Sequence, residues 1–230
     1  MTDQPTLDAR TYVLLPGAGG AAWYWHLVAA RLEVAGHEVL AIELPGADED
    51  AGLDAYAAQT VREIGDRTGV VLVAQSMGAF LPPLVAQQVQ ADAIVLVNPM
   101  VPVPGERPTD WWGATESEPA RRAAAIARGD DPEFDFQRDF LHDIAPEIVA
   151  VLTAHEGPES DAAFVSRCAF EAWPAVPIRV TAAADDRFFP LDFQRRVVRE
   201  RLGLDVDVLP GGHLNALSHP DAVSEYLLRR

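Results

Sequence analysis

The chain has 230 residues, 49% of them hydrophobic, which is enough for one large domain around a sizeable core. The formal net charge is −17 and every basic residue is an arginine, so the sequence offers no basic patch and argues against nucleic-acid binding. A single cysteine, an amino terminus without a signal-peptide pattern, and no apolar run of the roughly 18 residues that a membrane span needs predict a cytoplasmic protein that binds no membrane.

Six short apolar runs, rich in β-branched residues and bounded by turn signals, predict buried strands. They are Tyr12–Leu15, Val39–Glu43, Val70–Ala74, Ala93–Asn98, Ile178–Ala182 and Val206–Leu209. Runs that are apolar throughout are typical of a parallel sheet covered by helices on both faces.

Helical patterns alternate with these strands. They predict helices over Trp25–Ala35, Leu53–Arg67, Gly78–Val89, Leu191–Leu202 and Pro220–Leu228. Strand–helix alternation indicates βαβ units with right-handed crossovers, and therefore an α/β fold with a mostly parallel sheet of about six strands.

The alternation breaks after the fourth predicted strand. Residues 101–176, called the insertion below, open with prolines and then carry helical patterns over Arg121–Arg128, Phe134–His142, Pro146–His155 and Asp161–Trp173. This stretch is too long for a simple loop. We therefore predict a helical lid over 101–176, with 1–100 and 177–230 forming the core. Cys168 lies in the last helical pattern, where a buried and unreactive thiol is expected.

The third predicted strand runs directly into Ala74-Gln75-Ser76-Met77-Gly78, and a predicted helix follows. Small residues two positions either side of a serine, between a strand and a helix, are typical of a nucleophile elbow. Such a turn exposes the serine hydroxyl and points the next backbone N–H, that of Met77, at the same spot. A turn that merely ends a buried strand is the alternative.

A serine hydroxyl is a weak nucleophile without a base, and a base histidine needs a carboxylate to orient it. His213 follows the last predicted strand on a glycine-rich loop, and Asp185 and Asp186 follow the fifth. Serine, aspartate and histidine then occur in the chain order of an α/β-hydrolase triad, each after a separate strand. Either aspartate fits this pattern, and one of them could instead cap the next helix.

The loop after the first predicted strand reads Pro16-Gly17-Ala18-Gly19-Gly20. Glycines allow backbone N–H groups to converge on an anion, so Ala18 is the candidate second oxyanion donor beside Met77. A nucleotide-binding loop is the alternative, but the lysine of a P-loop and the full dinucleotide fingerprint are absent.

At these positions the chain resembles the α/β-hydrolase superfamily, and within it the esterase and hydroxynitrile-lyase branch that includes plant methylesterases and bacterial relatives. The resemblance is carried by PGAGGAAWYWHLVAARLEVAGHEVLAIELPG, AQSMGAF, DDRFFPLDFQRRV and GGHLNALSHP. It implies Ser76 as nucleophile, His213 as base and Asp186, by its spacing before Pro190, as the orienting acid. It also implies Ala18 and Met77 as oxyanion donors, although the branch usually has histidine where this chain has Pro16.

The same resemblance separates an esterase from a lyase. Hydroxynitrile lyases of this branch carry a threonine in the oxyanion loop and a lysine after the base histidine. This chain has Gly17 and Leu214 at those places and no lysine anywhere. The resemblance therefore implies ester hydrolysis.

The sequence predicts a serine hydrolase that cleaves a small neutral carboxylic ester through an acyl-enzyme, with no metal and no cofactor. We expect the pocket to be lined by Gly17, Trp23, Trp111, Trp112 and Phe140. A thioester, a lactone or a C–C bond cleaved by the same triad, or a ligand receptor of the same fold, are the alternatives. The sequence predicts neither the natural substrate nor the oligomeric state.

Overall fold

A six-stranded, entirely parallel sheet forms the centre of the molecule, in the order β2-β1-β3-β4-β5-β6. The computed structural model describes residues 9–19, 21–155 and 157–229. The strands are β1 Thr11–Leu15, β2 Glu38–Ala41, β3 Val70–Gln75, β4 Ala91–Val97, β5 Ile178–Ala183 and β6 Asp207–Leu209. The predicted fold class and all six predicted strands are confirmed.

Helices flank the sheet and fill the insertion. They are α1 His26–Val34, α2 Leu53–Ile64, α3 Pro82–Val85, α4 Pro108–Thr115, α5 Ser117–Arg128, α6 Phe136–Phe140, α7 Pro146–His155, α8 Asp161–Val165, α9 Leu191–Leu202, α10 Asn215–Ser218 and α11 Pro220–Leu228. In the described ranges, no helix is both long and apolar enough to cross a lipid bilayer.

Two apolar clusters lie on opposite faces of the sheet, because successive side chains of a strand point to opposite sides. On one face, Val13 and Leu72 pack with residues of α2, α3 and α9. On the other face, Leu14 and Val73 pack with residues of α1 and α11. This explains why the central strands are apolar along their whole length.

The prediction of one helix over Gly78–Val89 is wrong, because prolines divide this stretch into two short helical turns. The chain makes a 3₁₀ turn over Ser76–Phe80 and then the single turn α3. Pro82 and Pro83 cannot donate backbone hydrogen bonds, so they suit a helix start and not the interior of one long helix.

The insertion differs from its predicted pattern at two places. Helix α4 was not predicted, and the helix predicted over Asp161–Trp173 ends at Val165. Its backbone then bonds elsewhere: the Cys168 N–H donates to the Glu106 carbonyl and the Gly105 N–H to the Cys168 carbonyl, each at 2.9 Å. Tertiary hydrogen bonds therefore replace the helical ones. The division into core and lid stays a prediction.

Cys168 is fully buried, as predicted, but in this irregular segment and not on a helix. Burial raises the pKa of its thiol to about 12, so almost none of it is the reactive thiolate at pH 8. We expect native protein not to react with a thiol-specific reagent at that pH, and unfolded protein to release one equivalent of thiol. Labelling of the native protein as fast as the unfolded chain would contradict this.

Candidate active site

Ser76 lies at the carboxyl end of the central strand β3, in a strained turn. Its φ is +50°, a left-handed backbone conformation that is unfavourable for a residue with a side chain. The turn is held by the Met100 N–H, which donates to the Ser76 carbonyl at 3.0 Å. Ser76 is only 8% exposed. The turn thus holds the hydroxyl in one place, at the edge of the sheet where the strands end.

Gly78 permits the close approach that this turn needs. A β-carbon added there would lie 2.3 Å from the Pro16 carbonyl oxygen and 3.1 Å from that of Leu15, which are backbone atoms at the end of β1 and the start of the loop after it. Neither atom can move as the end of a flexible side chain would. The turn and the loop after β1 are therefore locked together at van der Waals distance.

Replacing Gly78 by alanine is therefore expected to lower the free energy of unfolding by about 1–3 kcal/mol, because backbone must shift to admit the methyl group. Activity should fall as well, since the same shift moves Ser76. Gly113→Ala in α4 is the matched control, because nothing lies within 4 Å of a β-carbon there. Equal thermal stability and activity of the two variants would contradict the prediction.

His213 lies in the loop after β6, and its Nε2 is 3.1 Å from the Ser76 Oγ. The ring is 1% exposed and is packed edge-on against three phenylalanines. These are Phe140, Phe188 and Phe189, with ring centroids 5.0, 5.2 and 4.9 Å from that of the histidine. Its backbone is fixed by Asn98, whose Nδ2 donates to the His213 carbonyl at 3.0 Å. The end of β4 therefore positions a residue that follows β6.

Asp186, and not Asp185, contacts the histidine. Its Oδ2 lies 2.8 Å from the His213 Nδ1, and its side chain is fully buried. The other oxygen accepts the backbone N–H groups of Phe188 and Phe189, at 2.9 and 2.8 Å. Asp185 is exposed. The turn before α9 therefore fixes one aspartate and leaves its neighbour in solvent.

These contacts assign a tautomer to His213. An Nδ1–H donates to Asp186, because an ionised carboxylate can only accept, and Nε2 is left to accept the Ser76 hydroxyl proton. A buried carboxylate in this place stabilises the positive imidazolium that forms when the hydroxyl proton is taken. The arrangement can thus generate a serine nucleophile.

Both candidate oxyanion donors face the same cavity as Ser76, which is lined by Ala18 and Met77 among others. Met77 is in the first turn of the 3₁₀ segment, where backbone N–H groups have no partner within the helix. Gly17 brings the loop close, since a β-carbon there would lie 2.4 Å from the Gln75 Oε1. Gly20 lies outside the described residues.

The cavity over Ser76 has a volume of about 190 Å³ and is mostly apolar. Its lining consists of Ala18, Gln75, Ser76, Met77, Met100, Trp112, Phe140, Phe164, Phe188, His213 and Leu214. Trp112 and Phe140, both predicted to line the pocket, are among these residues. Trp23 lies in an adjoining cavity of about 100 Å³, which shares Ala18, Phe140 and Leu214 with the first.

The prediction for Trp111 is wrong. This side chain is fully buried, packs against Phe189 and Phe193, and donates its Nε1–H to the Val101 carbonyl at 3.0 Å. Trp111 is directed into the core, while Trp112, whose ring centroid is 5.5 Å from that of Trp111, reaches the cavity. Met100, Phe164, Phe188 and Leu214 were missed as lining residues. Phe188 lies two residues after Asp186, and Leu214 directly follows His213. Their closeness to predicted site residues could have indicated that they line the cavity.

In the part of the chain that the structure describes, no three histidine, cysteine or carboxylate side chains are grouped as a metal site would require.

Comparison with known proteins identifies the family of the chain. The model of the alpha/beta hydrolase family matches residues 12–226. Methylesterase 7 of Arabidopsis thaliana is 32% identical over 108 residues, which span 41% of this chain and 42% of that protein. The match therefore covers less than half of either protein.

Solved structures are similar over nearly the whole chain. An extracellular α/β-hydrolase from a Paenibacillus species, described as structurally and functionally homologous to tobacco salicylic acid binding protein 2, superposes with a TM-score of 0.78 at 19% identity, covering 95% of this chain and 98% of that one. Polyneuridine aldehyde esterase superposes with a TM-score of 0.74 at 21% identity, covering 96% and 98%. At these identities the likeness establishes the fold.

Proposed function

This chain belongs to the α/β-hydrolase family, and from that premise we propose that it is a serine hydrolase cleaving a small, neutral carboxylic ester. The observation that carries the proposal is the buried chain of hydrogen bonds from Ser76 through His213 to Asp186, which opens on an apolar cavity. The similarity to a protein named methylesterase, over part of the chain, supports the same reaction class.

In the proposed mechanism, Ser76 attacks the ester carbonyl carbon while His213 takes the hydroxyl proton. The backbone N–H groups of Ala18 and Met77 stabilise the negative oxygen of the tetrahedral intermediate. His213 then returns its proton to the leaving alcohol, and an acyl-enzyme remains. A water molecule, deprotonated by His213, attacks the acyl carbon and releases the carboxylic acid, which restores the Ser76 hydroxyl.

The lining of the cavity favours a neutral substrate. Among the described residues that line the Ser76 cavity, His213 is the only titratable side chain, and most of the others are apolar. A charged acyl group would lose its hydration there without gaining an ionic partner. Leu214, which takes the place of the lysine of hydroxynitrile lyases, lines the cavity as well and offers no positive charge for a cyanide leaving group.

We propose that the insertion acts as the lid of this cavity. Trp112, Phe140 and Phe164 all come from it, while Ser76 and His213 come from loops of the sheet. Substrate choice then depends on how helices α4, α6 and α8 pack over the serine.

The test compares two esters of equal chain length, p-nitrophenyl pentanoate and mono-p-nitrophenyl glutarate, which differ by one terminal carboxylate. We expect kcat/KM to be higher for the neutral ester by roughly 10²-fold or more, the cost of placing an unpaired charge in an apolar cavity. Equal values would contradict the neutral substrate. No turnover of neutral esters of any tested chain length, from acetate to octanoate, would contradict ester hydrolysis itself.

A further inference from the structure

The insertion contacts the two loops of the proposed site through carboxylates that accept backbone N–H groups. One carboxylate, Glu159, bonds to the loop after β1, which carries Ala18. The other, Asp143, bonds to the loop after β6, which carries His213. The partners are separated by 140 and 69 residues in sequence, so neither contact follows from local structure.

Glu159 has both of its oxygens engaged. Its Oε2 accepts the Gly19 N–H at 2.8 Å, and its Oε1 accepts the Tyr56 hydroxyl. Tyr56 is 1% exposed and belongs to α2, so the carboxylate is anchored to the sheet domain and not to the insertion alone. A second bond joins the same segments, from the Gly157 N–H to the Gly19 carbonyl at 3.1 Å.

Gly19 is a flexible position next to a candidate oxyanion donor, so the hydrogen bonds that restrain it matter. It follows Ala18 directly, and its φ of +63° lies in the region that glycine populates freely, so the backbone has many competing conformations. A loop that presents an N–H to a developing negative charge is effective only when it is held in place beforehand. Burial raises the pKa of the Glu159 carboxyl, an energetic cost that its hydrogen bonds offset only in part.

Asp143 holds the base loop in the same manner. Its Oδ2 accepts the Gly212 N–H at 2.6 Å, one residue before His213, and the Ser218 hydroxyl at 2.7 Å from α10. The contact is close, since a β-carbon on Gly212 would lie 2.8 Å from the Asp143 Oδ1. Asp143 thus bridges two elements on either side of the proposed base.

We propose that Glu159 and Asp143 are positioning residues through which the insertion fixes the oxyanion loop and the base loop in their active arrangement. Each acts through the backbone of another residue and touches no substrate. This proposal rests on the proposed function for its kinetic consequences, but not for its structural ones.

The test uses a truncation and a conservative variant at each position. Glu159→Ala and Asp143→Ala remove the acceptor. Glu159→Gln and Asp143→Asn remove the charge and keep one oxygen that can accept the same N–H, while an NH2 group replaces the other oxygen. In Glu159→Gln this NH2 group can donate to the Tyr56 hydroxyl oxygen. Glu171→Ala is the control, because it removes one exposed carboxylate from the same insertion. Folding of every variant is checked by thermal unfolding.

The first measurement is amide hydrogen exchange, which needs no substrate and therefore decides the proposal whether or not the chain hydrolyses esters. We expect Glu159→Ala to speed exchange in the segment containing Gly19, and Asp143→Ala in the segment containing Gly212. The conservative variants and the control should exchange like wild type. Unchanged exchange at these segments in both alanine variants would overturn the proposal.

The second measurement is ester turnover. We expect each alanine variant to lower kcat by roughly 10–100-fold with little change in KM, because a displaced loop weakens transition-state contacts more than substrate binding. The conservative variants should recover most of this loss. Equal losses in the alanine and conservative variants would show a role of the charge and overturn the proposal.

Tyr56→Phe is a milder variant that tests the Glu159 contact if Glu159→Ala does not fold. It frees one oxygen of Glu159 and leaves the bond to Gly19 in place, so a smaller increase in exchange at Gly19 is expected. Wild-type exchange and turnover in Tyr56→Phe, with Asp143→Ala also unchanged, would overturn the proposal.

Discussion

Replacing Ser76 by alanine is expected to lower kcat for ester hydrolysis by about 10⁴–10⁶-fold, while KM and the stability of the fold change little. The side chain lines the cavity, and its hydroxyl lies 3.1 Å from the His213 Nε2. His213→Ala should lose a similar factor, because the hydroxyl is a weak nucleophile without its base. The double variant should be no worse than either single one, since the groups act as one unit.

Ser224→Ala is the matched control for this experiment. Ser224 is also a buried serine, but it lies in α11, where its hydroxyl donates to the Pro220 carbonyl. A serine-directed fluorophosphonate should label wild type and Ser224→Ala, and should not label Ser76→Ala. Ester turnover by purified Ser76→Ala within about tenfold of wild type would exclude the mechanism proposed above.

Asp139→Ala is expected to destabilise the protein by about 3–5 kcal/mol, because it removes the buried carboxylate at the centre of an ion-pair cluster. Asp139 is fully buried in α6, and Arg121 beside it is 2% exposed. The carboxylate accepts Arg138 Nε and Nη2 at 3.1 and 3.0 Å, the Asp135 N–H at 3.0 Å, and Arg121 Nη1 at 3.5 Å. The melting temperature should fall by roughly 2–4 °C for each kcal/mol lost.

The effect of Asp139 has a defined pH dependence. Burial alone would raise the pKa of this carboxyl, but the hydrogen bonds from Arg138 and the Asp135 N–H, with the charges of both arginines, lower it below its ordinary value. A group with a lowered pKa stabilises the fold above its ordinary pKa and loses that contribution as pH falls through the lowered one. The stability difference between wild type and variant should therefore be full at pH 7 and shrink in strong acid.

Asp139→Ala should also weaken substrate binding, through the neighbouring residue Phe140. Phe140 follows Asp139 in α6, lines the cavity and packs edge-on against His213. We expect a higher KM in Asp139→Ala even where the protein remains folded. Glu147→Ala is the control, since Glu147 is an exposed acid of the adjacent helix α7. Chemical denaturation at pH 7 giving equal stability for the two variants would contradict the prediction.

The positions of Ser76, His213 and the acidic pair could be predicted from sequence because each follows an apolar strand, and the ends of parallel strands share one edge of the sheet. The choice between Asp185 and Asp186 could not be derived from the residues alone. It depends on which carboxylate the N–H groups of Phe188 and Phe189 reach, and that is a property of the turn.

The predictions were least accurate in the insertion, which contains no strand that would fix the position of the residues after it. Trp111 and Trp112 are adjacent in sequence, yet Trp111 is core and Trp112 lines the cavity, because neighbouring residues of a helix point about 100° apart. The contacts of Asp143 and Glu159 join distant segments through a few hydrogen bonds, and neither periodicity nor composition predicts such contacts. The predicted helix ends at Val165 for a similar reason, because the backbone of Cys168 bonds to the distant residues Gly105 and Glu106.

The parallel sheet also decides where this protein can be attached to a surface. Ser76, Asp186 and His213 follow the carboxyl ends of strands, so the turns that lead into the strands lie at the far edge, and residues 203–206, between α9 and β6, form one of them. The chain contains no lysine, and Asp205 in this turn is exposed. Asp205→Lys would create the only side-chain amine, so amine coupling there would immobilise the enzyme with its cavity facing outward.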